Sequence, residues 1–206
     1  MSESGFLSGL SIVVPVRSDE DPEWLTDLIA TARLECNEIV LVLESDVDVT
    51  EIRPALGAFG ERVRFVYQTG NDKSDALNVG LREAKNVHVT FLDADVFLEP
   101  GQLTMVRALL QDPEDPAEFV SVPYGMRPPP FAPIGFVSGW FFSAKRSTFI
   151  EVGGWAPGYV EDVETAKRIS RSGHKIRVAP FSVKLRRPVR NPVTKFLSVL
   201  TSFGRR

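Results

Sequence analysis

The strongest constraint on the fold of this chain is the alternation of short apolar runs with amphipathic segments. Apolar runs with the composition of buried strands occur at SIVVPV (11–16), EIVLVL (38–43), VRFVYQ (63–68), HVTFLDAD (88–95) and EFVSVPY (118–124). Helical spacing of apolar residues occurs between them over 22–34, 73–85 and 100–111, with a weaker helix predicted over 51–59. This alternation predicts an α/β fold with a mostly parallel sheet and helices on both faces.

The residues that follow the first four predicted strands are polar, and most of these segments contain clustered acids. The segments are RSDED, ESDVD, QTGNDK and DAD. Ligands of open parallel sheets bind outside the carboxyl ends of the strands. The sequence therefore predicts a functional site at that edge of the sheet.

The second half of the chain is less regular. A proline-rich loop, RPPPFAP (127–133), precedes an aromatic strand, a short helix and a Gly-Gly turn over 139–155. An amphipathic helix is predicted over 161–172, and HKIRVAP predicts a last strand. Because no repeat or linker divides the chain, we expect a single domain over 1–206, of which 184–206 is a basic, amphipathic tail.

Composition excludes several classes of protein. The length of 206 residues suits one domain, and a net charge of −3 leaves no basic surface for nucleic acid, so we expect no nucleic-acid partner. The single cysteine, Cys36, excludes an internal disulfide and a cysteine-based zinc site. The N-terminus lacks a secretory pattern, and no apolar run reaches the roughly 18 residues of a membrane-spanning helix. We therefore expect a cytoplasmic protein, or one attached to a membrane only at its surface.

The segment FLDADVFLEP (91–100) places two acids, Asp93 and Asp95, directly after an apolar run. Two strand residues that are separated by one other residue point to the same face, so both carboxylates can reach one cation where the strand ends. Mg²⁺ and Mn²⁺ prefer such oxygen ligands and keep water and substrate phosphates as further ligands. An Asx-type turn, or an N-cap for the following helix, would use the same two residues, so both interpretations stay open.

Several motifs in order make the chain resemble the family-2 glycosyltransferases of the GT-A fold, a Rossmann-like α/β fold. IVVPVRSDED and LESDVDVT match the ends of the first two strands of that family loosely. The chain also matches three later motifs of that family. K-x-x-A-L-N-x-G is matched at Lys73, Ala76, Leu77, Asn78 and Gly80, and D-x-D at Asp93 and Asp95. G-G-W/F…E-D is matched at Gly153, Gly154, Trp155, Glu161 and Asp162. The resemblance covers residues 11–180 and implies a transferase that uses a nucleotide-sugar donor.

The resemblance implies donor-binding roles for the residues at the strand ends. In this family the second Asp of D-x-D contacts the metal and the first contacts ribose or nucleotide, so Asp95 is expected to bind Mg²⁺ or Mn²⁺ with Asp93 beside it. Glu44 stands where an Asp usually frames the base. Further donor contacts are expected from Pro15, Arg17, Asp72 and Lys73. A solvated position at a helix start is an equally good interpretation of Lys73.

YVEDVETAKRI (159–169) resembles the T-E-D-x-x-T stretch of processive members of the family, in which the Asp is the general base. The resemblance implies that Asp162 removes the proton of the acceptor hydroxyl in an inverting transfer, and that Glu161 supports or orients the reacting groups. An acid that only interacts with the helix dipole is the alternative. Because the Q-x-x-R-W motif of processive members is absent, we do not expect polymer synthesis.

Aromatic residues and the tail are candidates for contacts beyond the donor. Trp155 is expected to contact the acceptor, whereas neighbouring phenylalanines are expected in the core. The proline-rich loop is a candidate lid. The tail could contact anionic lipid at a membrane surface, pack on the domain or bind diphosphate. The two histidines, His88 and His174, are expected to be structural and not metal ligands.

The expected function is a metal-dependent, inverting transfer of a sugar from a UDP-, GDP- or dTDP-sugar to an acceptor hydroxyl. A non-catalytic protein that binds sugar nucleotides or serves in assembly, on the same scaffold, is the alternative. A nucleotidyltransferase would carry a glycine-rich loop after its first strand, and RSDEDPEW contains no glycine.

Overall fold

The computed structural model describes residues 9–50, 53, 57–124, 137–158 and 161–187. The strands in these ranges are β1 Leu10–Val16, β2 Glu38–Leu43, β3 Val63–Tyr67, β4 His88–Leu92, β5 Val96–Phe97, β6 Phe119–Ser121, β7 Phe141–Lys145, β8 Ile176–Val178 and β9 Lys184–Leu185. The helices are α1 Pro22–Ala32, α2 Lys73–Glu83, α3 Gln102–Leu110, α4 Arg146–Glu151 and α5 Glu161–Arg171, with a 3₁₀ segment at Gly57–Arg62.

Most strands belong to one sheet in the order β3-β2-β1-β4-β7-β6-β8. Strands β1 to β4 are parallel to one another, β7 runs antiparallel to both β4 and β6, and β8 is parallel to β6. The predicted α/β fold, with a mostly parallel sheet and helices, is thereby confirmed. The prediction missed a second small sheet, in which β5 and β9 pair antiparallel.

The centre of the sheet is fully buried because helices cover both faces. Every residue of β2 is buried, which explains why its sequence is apolar without alternation. Strand β1 lies between β2 and β4 and pairs with β4 only from Leu10 to Val13. Pro15, which has no amide hydrogen, lies beyond that ladder, so β4 loses no hydrogen bond to it.

Two apolar layers sandwich the sheet. Residues of α1 and α3 join the even-numbered residues of β1 in one core cluster, and residues of α2, α4 and α5 join Val13 in the other. Helix α2 lies very close to β1, because a Cβ atom at Gly80 would come within 2.1 Å of Val13 Cγ1. Glycine at this position therefore sets the distance between the helix and the sheet.

Some predicted segments fall outside the described residues. These are the proline-rich loop 127–133, most of the weak helix 51–59 and residues 188–206. In the ranges that are described, no helix has the length and apolar character needed to cross a membrane.

Candidate active site at the carboxyl edge of the sheet

A cavity of about 530 Å³ lies at the carboxyl ends of the parallel strands. It is lined by Pro15, Val16, Arg17, Glu20, Glu44, Gln68, Asp72, Lys73, Ala76, Asp93, Ala94, Asp95, Trp140, Gly158, Glu161, Leu185 and Arg187. All of the predicted site residues line this cavity except Trp155 and Asp162. The structure therefore brings the polar strand ends together where the sequence predicted a site.

The D-x-D acids lie in a turn that is fixed from two sides. The Asp93 amide donates to the Trp140 carbonyl (3.0 Å). The Asp95 carbonyl accepts from the Arg186 amide (2.8 Å), next to the pairing of β5 with β9. Neighbouring backbone from the second half of the chain therefore holds both acids at the cavity.

These acids do not cap the following helix. The first amides of α3 are satisfied by Glu35, whose carboxylate accepts from the Gly101 amide (2.5 Å) and the Thr104 amide (2.7 Å). This capping residue lies three residues after the end of α1, so it could not be identified from the local sequence. With the cap supplied by Glu35, Asp93 and Asp95 are left to face the cavity.

Lys73 connects the acids of the cavity. Its ammonium group lies 2.5 Å and 2.6 Å from the two carboxylate oxygens of Asp93 and donates to the Gly139 carbonyl at 2.7 Å. Burial alone would lower the pKa of Lys73, but the charges of Asp93, Glu161 and Asp162 outweigh it and raise the pKa. Lys73 is therefore a charged member of the site and not a solvated residue at a helix start.

Glu161 and Asp162 begin α5 beside the same carbonyl. A Cβ atom at Gly139 would lie 3.5 Å from a carboxylate oxygen of each of them, so the two acids flank Gly139. Both are buried, at 8% and 5% exposure. Glu161 lies on the cavity wall, whereas Asp162 is next to the wall and not on it.

The pair Asp93 and Asp95 has the chemistry of a partial metal site. Burial, and then the nearby charge of Asp93, raise the pKa of Asp95, and a cation at this point would offset both effects. Within the described ranges, no three acidic, histidine or cysteine side chains are grouped so that they could hold a metal. The two carboxylates therefore fit a hard ion such as Mg²⁺ or Mn²⁺ only if phosphate or water supplies the other ligands.

The remaining predicted donor contacts surround this pair. Glu44 accepts a hydrogen bond from the Ser18 amide (3.2 Å). Asp72 accepts from the Ser74 hydroxyl (2.6 Å) and, as the cap of α2, from the Asp75 amide (2.8 Å), and these two bonds lower the pKa of Asp72. Asp72 is thus partly committed to the helix, although it also lines the cavity.

Trp155 is a core residue, which corrects the expectation that it contacts an acceptor. Its side chain is 1% exposed, and its ring lies 5.2 to 5.7 Å from those of Phe91, Phe142 and Phe149 in edge-on contacts. The glycines before it have φ angles of 89° and 63°, and this turn directs the indole into the core. Trp140, not Trp155, is the tryptophan on the cavity wall.

Arg187 is the main site residue that the sequence did not single out. It lines the cavity, stacks over Trp24 at 5.7 Å and pairs with Asp19 (3.4 Å) and Glu20 (3.3 Å). Glu20 also pairs with Arg17 at 3.1 Å. The only sequence signal was the basic character of the tail, of which residues 184–187 pack on the domain.

The family model for glycosyl transferase family 2 matches residues 11–154. The matched range contains β1 to β4, Lys73 and the D-x-D acids, and it ends before Glu161 and Asp162. No curated protein matches this sequence.

Solved structures share the fold at low sequence identity. The mannosyltransferase PcManGT from Pyrobaculum calidifontis, in complex with GDP-Man and Mn²⁺, is 21% identical with a TM-score of 0.73, over 89% of this chain and 58% of that one. S. aureus TarS 1-349 with UDP-GlcNAc is 15% identical with a TM-score of 0.65, over 87% of this chain and 59% of that one. Glucosyl-3-phosphoglycerate synthase from Mycobacterium tuberculosis, with Mn²⁺, UDP and phosphoglyceric acid, is 18% identical with a TM-score of 0.65, over 93% of this chain and 74% of that one. This chain thus spans 58% and 59% of the length of the first two.

Proposed function

Because this chain belongs to glycosyl transferase family 2, we propose that it transfers a sugar from a nucleotide-diphosphate sugar to an acceptor hydroxyl, with inversion at the anomeric carbon. The observation that carries the proposal is the shared cavity. Residues 15–95 of its lining, the first wall, include the D-x-D acids, and residues 140–187, the second wall, include Glu161, with Asp162 beside it. A donor lying between the walls would have its diphosphate at Asp95 and its sugar facing the two acids of α5.

The proposed reaction uses the two sets of acids differently. The acceptor oxygen forms a bond to the anomeric carbon, the bond from that carbon to the diphosphate oxygen breaks, and the diphosphate leaves with the electron pair. Asp162 takes the acceptor proton on the face opposite the leaving group, as a general base must in an inverting transfer. Glu161 and Lys73 position the reacting groups, since Lys73 joins Asp93 to the Gly139 carbonyl between the walls.

A bound Mg²⁺ or Mn²⁺ would neutralise charge on the departing diphosphate. Asp95 would hold it, with Asp93 beside it, and the relatives solved with Mn²⁺ support this choice of ion for the fold. Arg187, Arg17 and Lys73 are the cations of the described cavity wall that would face the donor phosphates. Glu44 and Gln68, which follow β2 and β3, would face the nucleoside.

Calorimetry with Mn²⁺ and a panel of UDP-, GDP- and dTDP-sugars tests donor binding. We expect one nucleotide class to bind, and we expect Asp95→Asn to weaken that binding by about tenfold or more, because the metal ion that would neutralise the diphosphate loses a charged ligand. Asp46→Asn is the matched control, since Asp46 is an exposed acid in the loop after β2 and does not line the cavity. Absence of binding for every donor would overturn the proposal.

A non-catalytic protein that binds sugar nucleotides is the second candidate, because Asp162 does not itself line the cavity. Release of free nucleotide from a bound donor separates the two functions. An enzyme hydrolyses its donor slowly even without an acceptor, whereas a binding protein returns it intact. Donor binding without any release of nucleotide would favour the second candidate.

We further propose that residues 1–206 form one domain and that the tail contacts a membrane surface. Strand β9 and the Arg186 amide attach the beginning of the tail to the D-x-D turn. Sedimentation with vesicles containing anionic lipid tests the predicted membrane contact. Loss of sedimentation after truncation at Arg187 would assign that contact to residues 188–206.

A further inference from the structure

A second cavity lies at the opposite edge of the sheet. Its volume is about 440 Å³, and it is lined by His88, Leu110, Pro116, Ala117, Glu118 and Lys145. His88 begins β4 and Asp93 follows its last residue, so the two cavities are separated by the length of this strand, about 16 Å. No residue of the active-site cavity contributes to this second one.

His88 is buried at this cavity with an unsatisfied ring nitrogen. The residue is 8% exposed, and its Nδ1 atom has no hydrogen-bond partner among the residues described. Lys145 lies directly opposite it in the pairing of β4 with β7. A buried polar atom without a partner is costly, so a group outside this part of the chain is expected to satisfy it.

Arg107 adds a second unsatisfied donor, one helical turn before Leu110 of the cavity lining. It projects from the buried face of α3, is 3% exposed, and its Nη1 atom has no partner within the described ranges. Burial, and then the charges of Arg107 and Lys145, lower the pKa of His88. A buried guanidinium nitrogen without a hydrogen-bond partner is costly.

The nearest acids are already engaged elsewhere. Glu35 accepts hydrogen bonds from amides at the N-terminus of α3, and its charge only partly offsets the burial that lowers the pKa of Arg107. Glu118 lines the cavity and pairs with His174 Nδ1 at 2.6 Å. The lining therefore carries one cation, Lys145, and one buried ring nitrogen without a partner, while its carboxylate, Glu118, pairs with His174.

We propose that this cavity binds a small anion through a carboxylate or phosphate oxygen, contacted by His88, Lys145 and Arg107. The apolar side of the cavity, formed by Leu110, Pro116 and Ala117, leaves room for an organic portion of the ligand. A volume of this size is in the range of small-molecule sites. The site is independent of the donor cavity and of the transfer reaction.

NMR of the chain with ¹³C-labelled histidine tests the proposal. The protein contains two histidines, and the variant His174→Gln assigns their ring signals. Inorganic phosphate and acetate are titrated separately at fixed pH and ionic strength, which distinguishes the two oxyanion types. We expect a saturable shift of the His88 signal with at least one of them.

The variant Lys145→Met should raise the half-saturation concentration by about tenfold, the effect of losing one charged hydrogen bond. Lys145 is exposed, so its replacement leaves the core intact, and Lys85→Met, at an exposed lysine outside the cavity, is the control. Arg107→Met should abolish the shift in a protein whose melting curve stays cooperative. A His88 signal that does not shift saturably, or that shifts equally in Lys145→Met, overturns the proposal and assigns the cavity to water alone.

Discussion

The two walls of the active-site cavity are formed by different kinds of structure. The wall from residues 15–95 consists mainly of segments that follow parallel strands, with Lys73 and Ala76 added by helix α2. The wall from residues 140–187 combines an antiparallel strand, a helix start and a two-residue strand. The first wall is therefore a direct consequence of the sheet, whereas the second depends on long-range contacts that bring unrelated segments to the same place.

Helix α2 connects the two walls, and its motif divides into separate tasks. Lys73 reaches the cavity, while the Asn78 side chain exchanges two hydrogen bonds of 2.9 Å with the backbone of Trp155. A Cβ atom at Gly154 would lie 2.5 Å from Asn78 Oδ1, so the glycine is needed for this contact. Two of the motifs that carry the family resemblance therefore contact each other and position α5.

The largest effect should come from the second wall. In Asp162→Asn we expect turnover to fall by about 10²–10⁴-fold, the usual contribution of a general base, while donor affinity is unchanged. Nucleotide release with acceptor present measures turnover, and calorimetry measures donor affinity.

Glu161→Gln is the matched variant, since the two acids flank the same glycine. It should retain more turnover than Asp162→Asn. The opposite ranking would move the general base to Glu161, which is the one of the two on the cavity wall.

The next largest effect should separate the packing of α2 from its role at the site. In Gly80→Ala the new methyl group would lie 2.1 Å from Val13 Cγ1 and 3.1 Å from Val42 Cγ2, so the helix must move away from the sheet. We expect a net loss of about 1–3 kcal/mol in the free energy of unfolding, which outweighs the better helix propensity of alanine. Urea denaturation measures it.

Arg82→Ala, at an exposed position of the same helix, is the control and should change the stability by no more than about 0.5 kcal/mol. An equal stability for Gly80→Ala and the parent chain would show that α2 can shift without cost, contrary to the close packing seen here.

The sequence predicted the first wall well because periodicity identifies strands and the chain direction identifies their carboxyl ends. Asp93, Asp95 and Glu44 follow from this reasoning alone. Arg187 could not be predicted, because two strands of two residues each position it and so short a pairing leaves no pattern. Trp155 was assigned to the wrong environment because the direction of a side chain after two glycines depends on their φ angles.

Lys73 is the charged link between the walls, and its loss should affect both. In Lys73→Met we expect donor affinity to fall by about tenfold, because the charges of Asp93 and Glu161 would then face the diphosphate without a cation between them. Calorimetry with the preferred donor measures this. Lys167→Met, which removes a lysine that pairs with Glu164 within α5, is the control and should leave the affinity unchanged.

The smallest effect should come from Arg187, the contribution of the tail to the second wall. Of its two ion-pair partners, Asp19 has a side chain that is 52% exposed, so that pair adds little to stability, and Glu20 also pairs with Arg17. In Arg187→Gln we therefore expect a stability change below about 1 kcal/mol. We expect a severalfold loss of donor affinity that shrinks at high salt, because a screened charge near the diphosphate is removed.

Arg186→Gln is a close control, since Arg186 also stacks on an aromatic ring and pairs with an exposed acid, Asp27, but does not line the cavity. If both arginine variants reduce donor affinity equally, the effect comes from anchoring β9 to the D-x-D turn and not from a charge at the donor.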